Sequence, residues 1–84
     1  MQPKRLLERV RRSPFGQGQR ELDRLYRAFG FDCEEGGKHR AYVHPQYPHL
    51  HATVGRHNTL TVGYVTDAVT LIDELLRLEE GRER

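Results

Sequence analysis

The chain predicts an α+β domain: a three-stranded antiparallel sheet with helices packed on one face and a further short helix at the N-terminus. Three observations predict it. Apolar residues recur at spacings of three and four in three stretches, about 3–12, 19–29 and 63–78. Between the second and third stretches, three short runs alternate apolar with polar residues. Turn-forming residues, Gly36-Gly37 and then Pro45 and Pro48, separate those runs by so few positions that an antiparallel meander is the simplest connection.

The first helix begins at Pro3, which suits a first turn, and places Leu6, Leu7 and Val10 on one side before Pro14 stops it. Phe15 is expected to anchor the loop that follows. The second helix carries Leu22, Leu25, Tyr26 and Phe29 on one face, with Arg20, Asp23, Arg24 and Arg27 opposite, and Gly30 supplies its end. "FDCEE" then reads as a strand with Cys33 inward. "HRAYVH" reads as a second strand, Ala41 and Val43 on the inner side and Arg40, Tyr42 and His44 on the outer. "LHATV" reads as a third, Leu50, Ala52 and Val54 inward, His51 and Thr53 outward. "GRHNTLTV" connects to the longest element, whose stripe is Val65, Ala68, Val69, Ile72, Leu75 and Leu76. Leu71 and Leu78 widen that stripe, either as a partner surface or against the first helix. "EEGRER" is expected to fray.

At 84 residues, 36% hydrophobic and 31% charged, the composition fits one small soluble globular domain and neither a membrane nor a disordered protein. No apolar run reaches the roughly 18 residues of a membrane span, and no apolar segment follows the basic start as a secretory leader requires. A single cysteine, Cys33, excludes an internal disulfide and fits a reducing cytoplasm. Net charge is +2, but residues 1–12 carry +4 and residues 73–84 carry −2, and twelve of the fourteen basic residues are Arg. Arginine forks suit phosphates and base edges, so the balance leans towards nucleic acid. The expected outer sheet face, with Arg40, Tyr42, His44, His51 and Thr53, would make a platform for RNA, although half of any one-sided sheet must be polar.

The motifs add a family. "LYRAFGF" closing a helix, then "GGKHRAYVHP", "ATVGRH" and "LTVGYVTDAVTLIDELL", in that order over Gln19 to Leu78, resemble the HicA toxins. These are the ribonuclease halves of HicA–HicB toxin–antitoxin pairs. The resemblance implies a fold like a small double-stranded-RNA-binding domain, with residues 1–16 as an N-terminal extension, 17–80 as the core and 81–84 as a tail. It also implies a metal-independent endoribonuclease that needs no cofactor, cuts mRNA in the cytoplasm to stop translation, and is neutralised by a HicB-type antitoxin. The family's Gly-Ser-His entry to the second strand corresponds to Gly37-Lys38-His39, with lysine for serine, so the catalytic role carries over to His39. The family's Pro-Arg-His-like end to the third strand corresponds to Gly55-Arg56-His57, with glycine for proline.

The residue types suit that chemistry. Cleavage without metal needs a group to take the 2′-OH proton and one to protonate the departing 5′-oxygen. An imidazole with an ordinary pKa near 6.5 offers both forms at neutral pH. Lys38, Arg40 and Arg56 are candidate cations for the charged phosphorane, with Tyr42 and His57 as further RNA contacts. Gly36 and Gly37 would let a phosphate approach backbone N–H groups. His39 shares the parity of Ala41 and Val43, so it is expected either to project past the sheet's end or to follow a bulge.

Competing constellations are weaker. Five histidines lie without Cys-x-x-Cys or His-Glu-x-x-His spacing, so no metal is expected, and His44 and His51 are expected to face solvent across the hairpin. Cys33 reads as core and not as a nucleophile. The basic first helix could both pack its leucines and touch RNA. The two other function classes are a non-catalytic RNA-binding module on this fold and a protein-interaction domain using the leucine-rich last helix.

Overall fold

Each apolar stripe of the sequence becomes a helix that buries that stripe. The computed structural model describes residues 2–55 and 62–82. Its elements are α1 (Pro3–Arg12), α2 (Gln19–Ala28), β1 (Asp32–Glu35), β2 (His39–Val43), β3 (His51–Gly55) and α3 (Val62–Arg82). The fold is α+β as the periodicity predicts, with the sheet ordered β1-β2-β3 and both pairings antiparallel.

Helix α1 seats Leu6, Leu7 and Val10 in the core, packing on α2 and α3. Arg11, on its flank, reaches α3 as a two-pronged ion pair, Nη1 to Asp73 Oδ2 at 3.0 Å and Nη2 to Oδ1 at 2.7 Å. Helix α2 buries Leu22, Leu25 and Tyr26. It stops as the sequence predicts, because Gly30 adopts φ +85 and passes its N–H to Arg27 O while Phe31 N–H reaches back to Tyr26 O. That pair of bonds satisfies carbonyls that the helix end leaves open, and a left-handed residue is cheap only for glycine.

Helix α3 buries Val65, Ala68, Ile72 and Leu75. At 21 residues it is about 31 Å long at 1.5 Å per residue. It continues through Glu79–Arg82, where fraying was expected, and Leu71 and Leu78 are partly buried against the core. No described helix is long and apolar enough to cross a membrane.

The sheet corrects the sequence reading at β2. Gly36 N–H donates to His39 O at 2.8 Å, closing a hairpin across Gly37 and Lys38. That register pairs Cys33 with Tyr42 and Glu34 with Ala41, and carries across to Ala52 and Thr53. Cross-strand partners share a face, so Arg40, Tyr42 and His44 lie on the helix side and His39, Ala41 and Val43 on the open side, the reverse of the expectation. Tyr42 is 1% exposed and His44 6%. The physical reason is that their rings fill the space above α2. Tyr42 stacks on Tyr26 with centroids 4.3 Å apart, and His44 meets the edge of Phe31 at 5.2 Å. Strand β3 keeps its expected parity, Val54 buried, His51 and Thr53 exposed.

Phe15 is a second correction. It is 77% exposed and anchors nothing. The loop is held instead by Gln17 Nε2, which donates to Ser13 O at 2.8 Å, and by Gly16 at φ +75.

Candidate functional site

The sheet's end at the β1–β2 hairpin gathers the residues in question. His39 opens β2, is exposed, and stands on the open face opposite Gly55 of β3. No bulge is needed to bring it there, since the inverted parity of β2 does so. Gly37 and Lys38, exposed in the turn, precede it. A Cβ built on Gly37 meets no atom within 4 Å, and its φ is not positive, so the fold does not itself demand glycine there. The N–H of Gly36, by contrast, is committed to the hairpin and is not offered outward.

Behind His39 lies a residue that periodicity does not single out. Gln19, first in α2, donates its side-chain N–H to Gly55 O. This fastens the start of α2 to the strand end directly across from His39. Gly18 N–H is capped by Glu21 Oε2 at 3.2 Å. A glutamine one residue after a glycine at a helix start carries no apolar signal, so only the tertiary contact exposes its role.

Two expected RNA contacts are not at this site. Tyr42 and Arg40 lie on the helix side in a polar chain. The Tyr42 hydroxyl donates to Asp23 Oδ1 at 2.8 Å, and Arg27 Nε donates to Asp23 Oδ2 at 2.9 Å. Arg40 Nε is 3.2 Å from Glu35 Oε1, an ion pair in which that N–H makes no hydrogen bond. The Arg40 guanidinium is held protonated beyond its ordinary range, first by its hydrogen bond with Tyr42, with Glu35 and Asp23 adding to it against desolvation. Burial, then the bond to Asp23, pushes the Tyr42 phenol above its usual value. These groups are structural: they let ring-bearing and charged side chains sit under a sheet with their polar ends paired.

The open face is consequently not the basic, aromatic platform expected. Its exposed side chains are Asp32, Glu34, His39, His51 and Thr53, with Ala41 and Val43 half-buried between them. His44, expected outside, is inside, its Nδ1 accepting from Gln46 N at 3.2 Å. Among the described residues no three His, Cys, Asp or Glu side chains cluster as a metal would require. Arg56 and His57 lie outside the described residues.

Compared with family models, curated proteins and solved structures, the chain matches none.

Proposed function

We propose that the chain is an endoribonuclease toxin of HicA type, on a fold akin to the double-stranded-RNA-binding domain, with His39 as the acid or base. The observation that carries this reading is the exposure of His39 at the head of β2, beside a Gly37-Lys38 turn whose glycine the fold does not require. A histidine there has free access to a ribose 2′-OH. Gly37 leaves room for a phosphate to approach, and Lys38 supplies positive charge beside it. The order of helix, three strands and helix from α2 to α3 is the order the resemblance implies.

The set of RNA contacts in this reading is Gly37, Lys38 and His39, with Arg56 and His57 as the candidates from sequence. Tyr42 leaves the set because its ring is buried, and Arg40 because it points to Glu35. A HicB-type antitoxin would act by covering the hairpin end of the open face, in the cytoplasm, without any metal or cofactor taking part.

The test is His39→Ala with a labelled single-stranded RNA. Cleavage should fall by about 10²–10⁴-fold, the usual contribution of a positioned acid or base. Stability should change by less than about 0.5 kcal/mol, since the side chain is exposed. Equal cleavage by both proteins defeats the proposal.

A further inference from the structure

We propose that α1 and the loop after it form a second surface, which holds single-stranded RNA by its phosphates and stacks one base on Phe15. Two independent observations meet there. The first is Phe15, whose ring stands 77% exposed on a loop with fixed backbone, closed by the Gln17 to Ser13 bond and capped at Gly18 by Glu21. A large apolar side chain on a built turn, contributing nothing to the core, is an aromatic platform in search of a flat partner.

The second is the charge on the helix that leads into that loop. Arg5, Arg9 and Arg12 are all exposed and line one recess on α1 together with Glu8 and Ser13. None of the three pairs with a carboxylate among the described residues. The acid in that recess is already engaged, since Glu8 Oε1 accepts from Arg11 Nε at 3.2 Å. Arg11 is paired with Asp73 and Glu8, so it is left out of this set. Three forked cations over two turns of helix suit a run of phosphates better than a single anion.

The remaining apolar residues of α1 decide against a lipid surface. Leu6, Leu7 and Val10 are 8%, 3% and 3% exposed, so the helix has no apolar face to insert, and one ring alone is a poor anchor. Position favours RNA as well. Phe15 lies four residues before Gln19, which is bonded to Gly55, the cross-strand partner of His39. A strand of RNA leaving the hairpin end would pass the start of α2, reach Phe15 and continue along α1. In naming RNA the proposal rests on the nuclease reading, so binding and cleavage are measured separately.

The probe is a fluorescein-labelled, 2′-O-methylated single strand of about twelve nucleotides, within the usual 4–16 of such sites and uncuttable by any mechanism that uses the 2′-OH. Its anisotropy is read with the full chain. Phe15→Ala should weaken binding about tenfold, the scale of one base–aromatic stack, and Phe15→Tyr should restore it. The triple variant Arg5→Gln, Arg9→Gln, Arg12→Gln should lower the slope of log affinity against log salt by about two, near 0.7 per phosphate contact. Circular dichroism checks that each variant folds. Unchanged binding by Phe15→Ala and by the triple variant overturns the proposal. So does binding to phosphatidylserine vesicles but not to the strand, or binding to a duplex as tight as to the strand. Unmodified RNA is assayed in parallel: a wild type that binds with this pattern and never cuts refutes the nuclease reading alone, and one that cuts with binding indifferent to all these changes refutes the second surface alone.

Discussion

Tyr26 and Tyr42 stack ring on ring, 4.3 Å apart and inclined by 16°, yet only one of them has a use for its hydroxyl. Tyr42 donates to Asp23, whereas the Tyr26 oxygen is buried with no partner among the described residues. The same atom deleted from each ring should therefore act in opposite directions. Tyr42→Phe should cost about 1.5–3 kcal/mol, the range for a hydrogen bond to a charged acceptor. Tyr26→Phe should cost nothing and add up to about 1 kcal/mol, because it removes an unpaired polar atom from the core. Urea denaturation of the two variants beside the parent checks the contrast. Equal losses would mean that Tyr26 is bonded after all.

Both phenols should resist alkali. Burial raises each above the ordinary value of 10.0, with Asp67 adding to the effect at Tyr26 and Asp23 at Tyr42. A folded value above the unfolded one means that the stabilisation is complete below about pH 10 and is lost as pH climbs through the folded value. In an absorbance titration at tyrosinate wavelengths, these two rings should ionise only together with unfolding. Ionisation of Tyr26 and Tyr42 near pH 10, with far-ultraviolet circular dichroism intact, contradicts the burial.

Gly30→Ala should destabilise by about 1–2 kcal/mol, the usual cost of a left-handed backbone for a residue with a Cβ. The new Cβ would also stand 3.4 Å from His44 Nε2, in a place where the histidine ring is already packed on Phe31. Thermal melts of this variant and of Gly37→Ala make a matched pair, since the latter sits in open space.

Gly37→Ala should leave the melt within about 0.5 kcal/mol of the parent, or raise it slightly by stiffening the unfolded chain. RNA cleavage should nonetheless fall, because the added methyl stands where the proposed phosphate approaches. Full cleavage by this variant removes the backbone-approach part of the mechanism.

Acid should undo the clasp between the first and last helices. The Arg11 hydrogen bonds, then its charge, hold the Asp73 carboxyl below its ordinary 3.8. A depressed folded value contributes stability above the unfolded pKa and loses it as pH falls through the folded one. The pair is well solvated, so its whole contribution is at most about 1 kcal/mol. Stability curves from pH 7 to pH 2 should fall more steeply for the parent than for Asp73→Asn below pH 4. Parallel curves would show the pair to be idle.

The helices were legible because their period is long enough to average over single residues. Six apolar positions in α3 agree on one face, and the bounds of α1 match at both ends. Strand β2 was not legible, because its side was chosen from hydrophobicity, and here hydrophobicity misleads. Ala41 and Val43 are small and apolar yet only half-buried, while Tyr42 and His44 are polar at the tip and fill the core with their rings. The better signal was the turn. A two-residue connection at Gly37-Lys38 pairs Cys33 with Tyr42, so an inward Cys33 carries an inward Tyr42 with it. The site followed the same logic. The candidate His39 is singled out by motif alone, and its position on the open face depends on a parity of β2 that hydrophobicity inverts. The Gln19 tie to Gly55 spans 36 positions and left no local trace.

The docking of α1 has a bearing on how the chain is made. Leu6, Leu7 and Val10 are synthesised before α3, yet part of the surface that covers them belongs to α3, and Arg11 waits for an aspartate 62 positions later. A ten-residue helix is marginal alone. A nascent chain that has not yet made α3 therefore carries uncovered leucines and an unfinished core, so the core closes only once α3 is available.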